Sequence, residues 1–138
     1  MTPALEEKNE MKQLHIALLD TDALQLSCTV RELNDANFTC AHFSSTEALL
    51  RVLRRGRHVD GVLIALHGNG DWSIEELQSI RGSAPSGAVN VILIAHENEL
   101  IRERRLIGKA LLEGMDFLRS PIDRTEFLLR FEHQAANL

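Results

Sequence analysis

What this chain of 138 residues lacks narrows its class before any motif is read. It has no apolar run long enough to cross a bilayer. Its first residues, Met1 to Lys12, are polar and contain no apolar signal region, so the expected compartment is the cytoplasm. It has no basic excess: 15 Lys and Arg stand against 20 Asp and Glu, for a net charge of −5, which gives no strongly basic nucleic-acid footprint. Cysteine is scarce, and Cys28 and Cys40 are too far apart in sequence for a close metal-type pair. Both read as buried thiols acting as small hydrophobes. There is no internal repeat and no low-complexity tract. Hydrophobic residues make up 44% of the chain, an ordinary share that excludes wholesale disorder. The length suits one domain with a core that needs no staples.

What is present is a regular alternation of short apolar runs and amphipathic stretches. Leu14 to Leu19 reads as a first strand, ending at Asp20-Thr21-Asp22. Ala23 to Asn34 carries Leu24, Leu26, Val30 and Leu33 at helical spacing. Asn37 to Phe43 reads as a second strand. Ser44-Ser45-Thr46-Glu47 offers an N-cap to a helix that stops near Gly56. Gly61 to Leu66 is a third strand, followed by Gly68-Asn69-Gly70 and a helix over Trp72 to Arg81 with Ile74, Leu77 and Ile80 on one side. Val89 to Ala95 is near-continuously apolar, as a central parallel strand is. Glu97 to Glu113 reads as one long helix ended by Gly114. Met115 to Leu118 is a short fifth strand. Pro121 breaks the chain before an amphipathic helix with Phe127, Leu128, Leu129 and Phe131. Such an order predicts an α/β fold with a parallel sheet and helices on both faces. The expected organisation is a polar leader over 1–12, one domain over 13–135, and 136–138 as a tail or the start of a linker.

This (βα)5 order, the segment Asp60 to Arg81 and the stretch Gly114-Met115-Asp116-Phe117-Leu118-Arg119-Ser120-Pro121 resemble the receiver domain of bacterial response regulators (the CheY-like family). Phe43 to Leu50 and Glu126 to Arg130 are similar to the OmpR-like, winged-helix class. The resemblance covers about Leu14 to His133. It implies a flavodoxin-like three-layer sandwich with strand order 2-1-3-4-5. It also implies a phosphoacceptor pocket, and there the sequence departs from the family. The acidic pair that holds Mg²⁺ matches Asp20 and Thr21, with Asp22 one step along. The phosphoacceptor aspartate matches Ala65. The hydroxyl residue of the fourth strand matches Ile94, or Ala95 in the alternative register. The lysine before the proline matches Ser120. A methyl group is no nucleophile, and phosphoryl transfer rests on positioning and charge neutralisation that these residues do not supply. The expectation is a degenerate, or pseudo-, receiver without enzymatic activity, cofactor or metal. The rival is a misaligned third strand with a working aspartate elsewhere, Asp60 or Asp71.

The resemblance further places the switch aromatic at Phe117 and a dimer face on the fourth helix, fifth strand and fifth helix, with Arg102, Arg105, Asp116 and Arg130 on it. The expected role is a two-component signalling domain acting through protein contacts, as the dimerisation module of a transcription regulator or as a stand-alone adaptor, with no direct nucleic-acid binding. A second possibility comes from the residues alone. Asp20, His67 and His96 follow the first, third and fourth strands, where open α/β sheets bind ligands. They are candidates for a metal or pH-sensing site, or for solvated loop residues. Trp72 is either an exposed partner anchor or a half-buried packing residue.

Overall fold

In a computed structural model, residues 14–20, 38–66, 72–120, 122–123 and 125–130 are described. The sheet has five strands: β1 (Leu14–Leu19), β2 (Phe38–Phe43), β3 (Gly61–Ala65), β4 (Val91–Ala95) and β5 (Asp116–Arg119). Their order is β2-β1-β3-β4-β5 and every pairing is parallel. The doubly wound architecture expected from the alternation is therefore present.

The reason lies in β1, β3 and β4. All five residues of β3 and all five of β4 are buried, so both faces of these strands need cover. Side chains alternate between the faces. Ala17, Leu19, Val62, Ile64, Leu93 and Ala95 meet one apolar cluster; Ile16, Leu18, Leu63, Ile92 and Ile94 meet another. Three helices close the first face. From α1 (Thr46–Arg54) come Leu49 and Leu53; from α2 (Ile74–Arg81), Leu77 and Ile80. A further helix adds Leu106, Ile107 and Ala110. On the second face Phe127, from the helical residues 125–130, is 1% exposed and packs with Leu118 and Ile92. The helix expected over Ala23 to Asn34, and Cys28 within it, lie outside the described residues, as do the leader and residues 131–138.

Local signals set most element ends. Ser45 caps α1, its hydroxyl accepting from the Ala48 amide at 3.2 Å. Ser73 caps α2 in the same way through the Glu76 amide at 3.1 Å, so this helix begins later than the expected Trp72. Trp72 is half-buried against the core, a packing residue. The single long helix expected over Glu97 to Glu113 is instead two, α3 (Glu97–Arg102) and α4 (Arg104–Leu112). They meet at Glu103, whose φ of −101° and ψ of 16° depart from helical values. Backbone bonding nonetheless runs through the bend, Glu103 donating to Glu99 at 2.7 Å and Ile107 to Glu103 at 2.9 Å. The bend leaves Glu103 buried, an event that apolar spacing does not encode.

Two glycines have opposite meanings. Gly114 closes α4 at φ +91°, and a Cβ there would lie 2.9 Å from the Arg81 guanidinium, which donates to the Glu113 carbonyl. Gly108 sits inside α4 with nothing within 4 Å of where its Cβ would be. In urea melts, Gly108→Ala is expected to stabilise the protein by about 0.5–1 kcal/mol through helix propensity. Gly114→Ala is expected to destabilise it by about 1–2 kcal/mol through the left-handed backbone. Equal midpoints for the two variants would contradict both assignments.

Candidate functional site at the strand ends

In a parallel sheet all strands end at the same edge, and the backbone shows which residues reach it. Asp20 follows β1, its amide donating to Phe43 at 3.0 Å. Leu66 follows β3 and donates to Ile94 at 2.8 Å. Ser120 follows β5 and donates to Ala95 at 2.9 Å. Asp20, Ala65, Ala95 and Ser120 thus share the carboxyl edge, where open α/β sheets place their ligands. Ala65 is the last residue of β3 and pairs with Ile94 of β4. Register and burial therefore bring together the residues that the resemblance singled out. Thr21, Asp22, His67 and Asp71 lie outside the described residues.

The chemistry of this edge is sparse. Ala65, Ile94 and Ala95 are buried and offer only carbon. Asp20 and Ser120 bring a carboxylate and a hydroxyl, and both are buried, at 2% and 7% exposure. For the Mg²⁺ that the resemblance implies, the described residues supply Asp20 alone, and Ala65 adds no oxygen. A hard cation demands several oxygens in octahedral array, more than these described residues bring. No group of three or more His, Cys, Asp or Glu residues suited to a metal occurs among the described residues. His96 precedes α3, and its amide donates to Glu99 Oε1 at 2.9 Å in a helix-capping arrangement.

Phe117, at the position of the switch aromatic, is half-buried against the first core cluster and pairs with Leu93 of β4. Packing rather than a hydroxyl partner on β4 surrounds it, since its neighbours on that strand are apolar.

The residues expected on a dimer face are placed unequally. Asp116 is 5% exposed, and its Oδ1 accepts from its own chain's Arg130 at 3.2 Å and from the Phe117 amide at 2.8 Å. This pair is an internal clamp between β5 and the last described helix. Arg102 and Arg105 are exposed; Arg102 lies 3.9 Å from Glu103. Ile101 and Leu129, on the same elements, are exposed at 70% and 62%.

A second polar cluster was not foreseen. At the amino edge of the sheet, Asp60 Oδ2 accepts from the His15 amide at 2.8 Å and Oδ1 lies 3.0 Å from His58 Nε2. The imidazoles of His15 and His58 meet edge-on with centroids 6.3 Å apart. Asp60 is thus at the end of β3 opposite to Ala65, which removes it as a stand-in phosphoacceptor at the usual edge. Sequence spacing hid this cluster because His15 and Asp60 are brought together only by β1–β3 pairing. Cys40, on β2, is a free thiol that burial pushes up to about 11. Such a thiol is a poor nucleophile.

No protein-family model and no curated protein matches the chain. Solved structures do. The signal receiver domain of an HD domain-containing protein from Pseudomonas fluorescens is similar at 27% identity and a TM-score of 0.68, over 91% of this chain and 99% of that one. A response-regulator receiver domain from Clostridium thermocellum is similar at 17% identity and a TM-score of 0.71, over 90% and 95%. A response-regulator receiver protein from Sinorhizobium medicae is similar at 17% identity and a TM-score of 0.64, over 91% and 97%. No helix among the described residues is long and apolar enough to cross a membrane. With its 2-1-3-4-5 parallel sheet, the chain has the fold of a response-regulator receiver domain.

Proposed function

We propose that the chain is a receiver-type signalling domain that accepts no phosphoryl group and works through constitutive protein contacts. The observation that carries this reading is Ala65, buried at the carboxyl end of β3 where the receiver resemblance requires an aspartate. The hydroxyl and lysine positions have changed with it, to Ile94 or Ala95 and to Ser120. Losing the nucleophile removes the task of each of the others, so the substitutions form one coherent change.

The contact surface favoured here is the OmpR-like one around β5. The exposed large hydrophobic residues among those described are Ile101, Leu111, Leu112 and Leu129. All four lie on α3, α4 or the helix over 125–130, which flank the edge strand β5. Leu112 is 89% exposed. Apolar side chains exposed on the elements around one edge strand, with Arg102 and Arg105 among them, suit a protein contact. Asp116 and Arg130 serve it indirectly, by fixing the last helix to β5. A second copy is the simplest partner, because two-fold pairing makes one surface complementary to itself. Without a phosphoryl group to shift populations, the contact forms constitutively.

Two outcomes are expected. In thermal melts, millimolar Mg²⁺ leaves the melting temperature unchanged, because ligand binding to the folded state alone would raise it. A Mg²⁺-dependent rise that Asp20→Asn abolishes would contradict the reading. In sedimentation, the wild type self-associates and Ile101→Glu with Leu112→Glu gives a monomer. A dimer that persists in that variant would exclude this face. Arg130→Glu is unsuited to the test, since it would set a second carboxylate beside buried Asp116.

A further inference from the structure

At the far side of the sheet from β5, four of the chain's 15 basic residues fall within seven positions, Arg51 to Arg57, with no acidic residue among them. The other 11 stand against 20 acidic residues. Arg51, Arg54 and Arg55 recur at the spacing that puts them on one side of α1 and its end, and all four arginines are exposed. Among the described residues no ion pair holds any of them; Glu47, one turn before Arg51, does not pair with it. Arg51 and Arg54 are explained in part by the helix C-terminus, which favours cations. Arg55 and Arg57 lie beyond the helix and are not.

Apolar side chains are interspersed with these charges: Leu50 in one depression, and Val59, Ala84 and Val89 in another. A groove of about 420 Å³ is lined by Glu47, Leu50, Arg51, Arg54 and Arg55. A second depression of about 210 Å³ continues along the chain, with Arg57, His58, Val59, Ala84 and Val89 among its walls. Leu50, Val59 and Ala84 are only partly buried, their inner sides resting on the core.

We propose that this corner, from α1 to the start of β3, docks an acidic segment of a partner protein whose carboxylates meet the arginines and whose apolar side chains enter the two depressions. Charge complementarity selects the acidic partner. The lining favours a polypeptide over a nucleic acid, since no Phe, Tyr or Trp on which a base could stack lines either depression. A long polyanion overrunning the patch would also meet a protein of net charge −5. The arginine-rich end of α1 leads into the amino end of β3, away from Ala65 at that strand's other end. It is also near β1 and β2, whereas α4 packs beside β5. One molecule can therefore hold a second copy at one side and an acidic partner at the other, without reference to the strand-end pocket.

The test is fluorescence anisotropy with a labelled peptide of repeated Glu-Leu units, and with labelled oligothymidylate as the nucleic-acid probe. The wild type is expected to bind the peptide, more weakly as salt rises, and to bind it more tightly than oligothymidylate. The combined Arg51→Ser, Arg54→Ser and Arg55→Ser variant should lose about tenfold or more in affinity. Arg55→Ser with Arg57→Ser, which leaves the helix itself intact, should show a loss in the same direction. A control carrying Arg104→Ser, Lys109→Ser and Arg119→Ser, three other exposed cations, should bind as wild type. Absence of peptide binding, equal affinities in the patch and control variants, or tighter binding of oligothymidylate would each overturn the proposal. None of these results depends on self-association through the β5 face.

Discussion

The structure depends on one constraint: β3 and β4 are buried over their whole length and on both faces. A strand in that position can carry no polar side chain without a partner. It must be apolar at every position, and helices must cover both sides. Ile64, Leu93 and Ala95 are met by α1, α2 and α4; Leu63, Ile92 and Ile94 are met on the other face by Phe127 and its neighbours. Each such Leu, Ile or Phe side chain contributes roughly 1.5–3 kcal/mol on burial. The parallel order follows, and with it a carboxyl edge where polar groups emerge together.

In the proposed reading, the same constraint explains how chemistry is lost at that edge while the fold persists. Ala65 sits where the core ends and the edge begins, beside Ile94. An alanine there extends the apolar layer by one residue and demands no counter-charge. An aspartate would need cations around it to stay ionised when buried. In the proposed reading, surfaces remote from this pocket carry the function. Among the described residues, the exposed large apolar side chains lie on the helices beside β5, while arginines without an ion pair gather at the end of α1. These regions lie toward opposite sides of the sheet, which suits a domain that joins partners.

Much of the scaffold was legible in the sequence because its signals are local. Runs such as Val62-Leu63-Ile64 and Ile92-Leu93-Ile94 announce doubly buried strands, and Ser45 and Gly114 mark helix ends. The bend at Glu103 was not legible, since the residues around it keep helical spacing and backbone bonding continues through it. That Asp20, Ala65 and Ser120 share the carboxyl edge was readable from topology. The state of the individual groups was not. Asp116 reads as a surface acid and is a buried partner of Arg130, a pairing that depends on how the last helix lies across β5. The His15–Asp60–His58 cluster likewise depends on β1–β3 register, which residue spacing does not encode.

The central claim is that no residue of this chain takes a phosphoryl group. Intact-mass spectrometry after incubation with acetyl phosphate and Mg²⁺ tests it most directly. The account predicts an unchanged mass. A stable phosphoryl adduct that maps to Asp20, Asp60 or Asp71 would contradict it.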